Sequence, residues 1–282
     1  MSNTAPIFIG CLSKTGASLL RNLIGGHPNI YGGDGFETNW FSKQVIDEWK
    51  NADNVRHKWL REWYCIDYED YIDIRNRSNS GVDFFSNLME FCTKRDGRKR
   101  WMEKSPGNIR NLDLIKLSWP KSKLVHSVRD LRDVFASWKF KSTGKLLESD
   151  VNDFVHKVVE SYGALGDLLG DQTNSYFEVR YEDLVLDTEK TLRRVFNFLE
   201  EDWINGLEVY DGKMGELKKV QTIIGKNSNT SQSLTRPIFN DSIGHWKKLL
   251  SPEEINVIEN ELGEYQSCLL YTSDAADDLL CV

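Results

Sequence analysis

The chain has 282 residues, enough for one large α/β domain or two small ones. Hydrophobic residues make up 40% and charged residues 28%, the balance of an ordinary soluble globular protein. The formal net charge of −7 provides no global basic field for DNA or RNA, so an anionic ligand would need a local cluster of donors.

No apolar stretch approaches the roughly 20 residues needed to span a bilayer. The chain enters an apolar run, Pro6-Ile7-Phe8-Ile9-Gly10, with no basic segment before it. The expectation is a cytoplasmic protein without a signal peptide. Cys11, Cys65, Cys92, Cys268 and Cys281 show neither CxxC pairing nor metal-ligand spacing, which points to a reducing compartment and no disulfide framework.

In chain order, Ile7–Gly10 reads as a strand, followed by a Gly-containing loop and a helix over about Ala17–Ile24. His27-Pro28-Asn29 is a turn. A helical stretch rich in aromatics runs from about Asn39 to Arg95, most of its rings read as core. Arg100–Glu103 reads as a strand, Ile109–Leu117 as a short helix, and Lys123–Val128 as a second strongly apolar strand. Helices are expected at Leu131–Lys141 and Val151–Leu169, a strand at Tyr176–Val179, and a helix at Thr188–Leu199. The last helix starts at Ser251-Pro252-Glu253-Glu254, with serine at the cap, proline in the first position and glutamate at the third. Strands alternating with helices imply a three-layer α/β fold, P-loop-like, with a central, mainly parallel sheet flanked by helices. Ligands in such folds sit at the C-terminal strand ends.

The loop Gly10-Cys11-Leu12-Ser13-Lys14-Thr15-Gly16-Ala17-Ser18 joins the first strand to the first helix. It aims backbone N–H groups and the positive end of the helix dipole at one point, which suits a phosphate. Lys14 adds a positive charge, and Thr15 and Ser18 add hydroxyls. The lysine precedes the second glycine and Ala17 follows it, so this is not GxxxxGK[ST], and the hydroxyl that would hold Mg²⁺ is out of place. The residues alone equally allow a tight turn with a solvated lysine. Further on, Arg129 closes a strand and Ser137 lies about two helical turns later. The pair can grip a phosphate, or form an ordinary helix start with surface ion pairs.

Taken together, these segments resemble the PAPS-dependent sulfotransferases (PAPS is 3′-phosphoadenosine 5′-phosphosulfate). The first loop resembles the 5′-phosphosulfate loop [KR]-S-G-[TS]-[TS]-L-L, followed by the His27-Pro28 turn. Arg129 and Ser137 match the 3′-phosphate motif, Glu103-Lys104-Ser105-Pro106 the family's E-K-[TS]-P, and Arg180-Tyr181-Glu182-Asp183-Leu184 its R-Y-E-D-L. Ser242-Ile243-Gly244-His245-Trp246-Lys247 is similar to the late S-x-G-x-W-[KR], which closes over the nucleotide. The matches follow in order over roughly residues 7–260. The resemblance implies donor contacts from Lys14, Thr15, Gly16, Ala17, Ser18, Arg129, Ser137, Tyr181, Ser242 and Gly244. There are two departures. Ala17 replaces a hydroxyl residue, and no histidine stands where cytosolic phenol and steroid enzymes carry their catalytic one. The pattern is closer to the tyrosylprotein and carbohydrate branch, which uses a glutamate.

By that resemblance the base is Glu37, with Lys14 and Lys104 stabilising charge on the leaving group, and no metal is expected. Read without the resemblance, Glu37 could be an acid favoured at a helix N-terminus. The acceptor is a hydroxyl or amine of a carbohydrate, a peptide tyrosine or a small molecule. His126, inside an apolar strand, reads as a core histidine, and nothing around Cys11 argues for a nucleophile. The run Lys94–Arg100 reads as a solvated turn or an anion-attracting patch. From about Ser267 the chain resembles translated adapter sequence and departs from the pattern of the helix before it, so the domain is expected to cover 1–266, with 267–282 a poorly packed, non-native tail. Two alternatives remain: a P-loop nucleotide kinase and a non-catalytic PAP- or nucleotide-binding module.

Overall fold

A computed structural model describes residues 5–33, 37–38, 49–50, 55–139, 150–169, 174–210 and 234–271. Alternation along the first strand, β1 (Ile7–Cys11), divides the interior in two. Phe8 points into one apolar cluster, and Ile7, Ile9 and Cys11 point into the other. Four more strands join it: β2 (Ile30–Tyr31), β3 (Arg100–Lys104), β4 (Lys123–Val128) and β5 (Tyr176–Arg180). All pairings are parallel, in the order β2-β3-β1-β4-β5. Strands buried on both faces read as near-continuous apolar runs, which is why β1 and β4 stand out in the sequence.

One face of the sheet is covered by α1 (Ala17–Gly25), α8 (Tyr181–Leu186) and α9 (Thr188–Leu199), through Leu20, Leu23, Leu184, Val195 and Phe196. (Helices are numbered in order along the described chain.) The other face carries α2 (Val55–Trp63), α3 (Tyr68–Arg77), α4 (Gly81–Arg95), α5 (Leu112–Ser118), α6 (Leu131–Lys139), α7 (Val151–Leu169) and α11 (Pro252–Tyr271). A short α10 (Trp246–Leu249) precedes α11. These are the expected three layers around a wholly parallel sheet. The chain leaves β1 towards β2 at one edge and leaves β4 towards β5 at the other. The loops after these two neighbouring strands therefore diverge and open a crevice at their C-terminal ends.

Several expectations are refined. The aromatic stretch is not one helical block. Cys65 takes a left-handed φ of 48°, and Arg95 Nη1 donates to the Tyr64 and Cys65 carbonyls, closing α2. Ser80 then caps α4 through the Asp83 N–H. Trp49, Tyr64 and Tyr71 are buried in the core, whereas residues 39–48 lie outside the described residues. The expected helix at 109–117 begins earlier, as a 3-10 turn over Pro106–Asn111 that runs into α5.

The charged run 94–100 is not wholly a solvated turn. Arg100 opens β3, is 1% exposed, and donates to the carbonyls of Ala5 and Leu199 and to Glu201. Its role is to close the strand-entry end of the sheet, because a buried guanidinium is tolerated only with such partners. His126 is fully buried and bonded at Nδ1 to the Tyr176 hydroxyl (2.6 Å), as a core histidine should be. The last helix, α11, runs past Gln266. It continues to Tyr271, through a stretch holding neither glycine nor proline to stop it, and residues 272–282 lie outside the described residues.

Candidate active site

The loop after β1 is an arch built on two left-handed residues, Lys14 (φ 80°) and Gly16 (φ 85°). Between them Thr15 is turned inward, its hydroxyl donating to the Leu12 carbonyl at 3.0 Å. From β4, Ser127 Oγ donates to the Thr15 carbonyl at 2.9 Å and pins the arch to the sheet. Helix α1 starts at Gly16 with no side-chain cap, so its first N–H groups and its dipole face the crevice. Burial pushes the Lys14 ammonium below its usual pKa, against the opposing pull of Glu37.

The tip of β3 forms the adjoining wall. A strand sends neighbouring side chains to opposite faces, so Lys104 points to the α1 side and Glu103 to the other. Lys104, 4% exposed, donates to Ser18 Oγ at 3.2 Å and pairs with the Glu37 carboxylate. Glu37 itself is 42% exposed. Glu103 is buried, and both its oxygens are bonded. Oε1 accepts from the Thr38 N–H (3.3 Å), the Thr38 hydroxyl (2.8 Å) and the Ser105 hydroxyl (2.6 Å), and Oε2 accepts from Asn108 Nδ2 (2.7 Å). Burial raises its pKa, and the hydrogen bonds from Ser105, Asn108 and Thr38 oppose the rise.

At the end of β4, the Arg129 guanidinium bridges the carbonyls of Lys14 (3.1 Å) and Ser242 (2.6 Å) and lies 4.4 Å from the Tyr181 ring centroid. Its nearest ion pair is loose, Asp133 Oδ2 at 3.9 Å, and its Nε has no partner among the described residues. Asp133, 2% exposed, accepts from the N–H groups of Gly244 (2.8 Å) and Trp246 (2.9 Å) and so fastens the late loop onto α6. Tyr181 packs against Gly16: a Cβ there would stand 2.4 Å from the ring. The resulting cleft encloses about 370 Å³ and is lined by Lys14, Gly16, Ala17, Ser18, Glu37, Lys104, Arg129, Ser137, Tyr181 and Ser242, with residues of a further wall.

Residues 6–205 of the chain match the family described as Sulfotransferase family. The chain belongs to the sulfotransferase family.

Among sulfotransferase relatives, Protein-tyrosine sulfotransferase A of Caenorhabditis elegans is 24% identical over 266 residues, spanning 90% of this chain and 64% of that protein. The omega-hydroxy-beta-dihydromenaquinone-9 sulfotransferase Stf3 of Mycobacterium tuberculosis is 26% identical over 243 residues, spanning 69% of this chain and 62% of that one. The chain thus matches somewhat under two thirds of the length of these relatives. In fold it is similar to the sulfotransferase domain of the Synechococcus PCC 7002 olefin synthase, with a TM-score of 0.64 at 20% identity over 92% of this chain and 95% of that one. A mouse sulfotransferase, SULT7A1, complexed with PAP gives a TM-score of 0.51 at 14% identity over 97% of this chain and 90% of that one.

Two residues expected at the donor site do not line the cleft. The Thr15 hydroxyl is spent on Leu12 inside the arch, and the Gly244 N–H is spent on Asp133. Each holds a loop that does line the cleft. The opposite wall, not evident in the sequence, is formed by Tyr210, Leu234, Pro237, Ile238 and Phe239, with the Arg236 guanidinium over the Phe239 ring at 4.3 Å. Tyr210 links this wall to α1, accepting from Asn22 Nδ2 (3.0 Å) and donating to the Leu234 carbonyl (2.6 Å). No local motif marks it. A lone Arg-Pro-Ile-Phe run in a loop was the only signal. Cys11 also lines the cleft, but burial drives its thiol up to about 12, so it is no nucleophile at neutral pH.

Proposed function

We propose that this chain transfers the sulfuryl group of PAPS to a hydroxyl acceptor and releases PAP. The observation that carries the reading is the convergence of the Lys104–Glu37 pair, the uncapped α1 N-terminus and Arg129 on one cleft. Arg129 suits a phosphate because it is a buried guanidinium held by neutral carbonyls, with a loose carboxylate beside it and an Nε that has no partner among the described residues. In this reading the 3′-phosphate lies at Arg129 and Ser137, beside Tyr181 and Ser242. The 5′-phosphosulfate lies against the N–H groups of Gly16, Ala17 and Ser18, with Lys14 above it.

The acceptor oxygen attacks sulfur, and its proton passes to Glu37. The bond from sulfur to the 5′-phosphate oxygen breaks, and the electron pair remains on that oxygen. Lys14 and Lys104 balance the charge that develops there, which is electrostatic preorganisation with little reorganisation at the moment of transfer. The tyrosine and the omega-hydroxyl named for the two relatives are both O–H nucleophiles, which supports a hydroxyl acceptor over an amine. The PAP bound by the mouse enzyme supports the donor.

The test is incubation with labelled PAPS and a panel of phenol, alcohol, carbohydrate and amine acceptors, with and without EDTA. The expected result is transfer that EDTA does not reduce. Glu37→Gln should lose about 100-fold or more in turnover yet retain PAP. Arg129→Ala should weaken PAP binding by roughly tenfold to a hundredfold, the loss of charge-assisted hydrogen bonds. Transfer from ATP, or PAP binding without transfer to any acceptor, would overturn the reading.

A further inference from the structure

The Glu103 carboxylate plays no direct part in the chemistry above, yet it is the most fully bonded acid at the cleft's edge. It is 1% exposed and does not line the cleft, so it cannot reach an acceptor. Burying a carboxylate is costly, and an apolar side chain would fill the same volume at less cost. Its four donors come from three places: Thr38 twice, Ser105 next to the end of β3, and Asn108 in the 3-10 turn. Asn108 Nδ2 also donates to the Ile9 carbonyl at 2.9 Å, which ties the cluster to β1, the strand that launches the phosphate arch. A continuous path of hydrogen bonds thus runs from Ile9 through Asn108 and Glu103 to Thr38.

Thr38 is the residue after Glu37. Neighbouring residues on β3 therefore hold neighbouring residues of the 37–38 segment, Lys104 gripping Glu37 and Glu103 gripping Thr38. The two grips differ in one respect. In the proposed reaction Lys104 also serves the leaving group, whereas Glu103 lies outside the cleft and its bonds to Thr38 take no part in the transfer. Glu37, with 42% of its side chain exposed, needs such an anchor to stay within reach of the acceptor proton.

We propose that Glu103 is a positioning residue: through its bonds to Thr38 it holds the adjacent Glu37 at a fixed place beside Lys104 and the β1 phosphate arch. This rests on the reading of Glu37 as the base.

The test compares Thr38→Val, Thr38→Ser, Glu103→Gln and Glu37→Gln for kcat, KM of the acceptor, PAP affinity and thermal stability. Valine removes the hydroxyl donor and keeps the shape, serine keeps the donor, and glutamine replaces one acceptor oxygen by a donor that faces other donors. Thr38→Val and Glu103→Gln should lower kcat by roughly tenfold to a hundredfold, the effect of a misplacement of about 1 Å, with PAP affinity within about twofold of wild type. Thr38→Ser should restore most of the loss. An unchanged kcat in Thr38→Val, with Glu37→Gln inactive, would sink the positioning role and leave the base assignment standing. So would losses of PAP affinity and stability in step with kcat, the mark of a merely structural role. Near wild-type turnover in Glu37→Gln would remove the base reading itself. If Glu103→Gln does not fold, Thr38→Val and Thr38→Ser carry the test alone.

Discussion

Replacing Gly16 by alanine should injure the cleft through two effects whose sizes follow from the structure. The residue sits at φ 85°, where any L-residue other than glycine bears about 1–2 kcal/mol of strain. The added Cβ would also lie 2.4 Å from Tyr181 Cδ2, against an ordinary carbon–carbon contact of about 3.5–4.0 Å. The ring must withdraw by about 1 Å, and overpacking of this kind costs about 1–3 kcal/mol. Together the loss is about 2–5 kcal/mol, a large part of the stability of an ordinary domain. The same ring carries the Arg129 guanidinium, so its withdrawal moves that guanidinium as well. Urea unfolding should report the stability loss, and titration with PAP should show affinity reduced at least tenfold. Adding Tyr181→Ala to Gly16→Ala should recover the steric part and leave the backbone part. A Gly16→Ala protein within about 0.5 kcal/mol of wild type, with unchanged PAP affinity, would refute both the packing of Tyr181 on the arch and its link to Arg129.

Two further outcomes follow from single side chains. Asp133→Asn keeps one acceptor oxygen and turns an amide N–H towards the Gly244 or Trp246 N–H. The loss of one charge-assisted bond should cost about 1.5–3 kcal/mol and speed PAP release, measured by calorimetry and by dissociation kinetics; unchanged release would deny the late loop its anchor. Lys116 is half-buried, and burial, then Lys123, lowers its pKa from 10.5 to about 8. The unfolded chain therefore binds this proton more tightly than the folded one, and Lys116 burdens the fold most below about pH 8. In chemical denaturation from pH 7 to 10.5, the stability of wild type relative to Lys116→Met should rise with pH; a flat difference would show that the ammonium is fully solvated in the fold.

What the sequence made legible was local. The capping box at Ser251 is realised in both directions, Glu254 N–H to Ser251 Oγ (3.3 Å) and Ser251 N–H to the Glu254 carboxylate (2.9 Å), because all its partners lie within one turn. Helix α7 and helix α9 fall where the sequence places them, α7 packing against α11 and the 3-10 turn and α9 against β5 and α8. The arch after β1 was legible as an anion site for the same reason: its glycine, lysine and helix start are consecutive.

What was hidden depends on residues far apart in the chain. Arg100 reads as surface charge until Ala5, Leu199 and Glu201 surround it, and Asp133 reads as a helix-start acid until the loop around Gly244 arrives. Glu103 is the sharpest case. In sequence it is one letter of an E-K-S-P motif, beside the lysine that the resemblance singles out, and nothing local distinguishes it from a surface acid. The two-residue period of β3 turns it to the opposite side of the sheet from Lys104, and parallel pairing with β1 sets Asn108 beneath it. The motif thus places two adjacent charges on two faces of one strand. One pairs with Glu37 at the cleft, and the other bonds to Thr38, the residue that follows it.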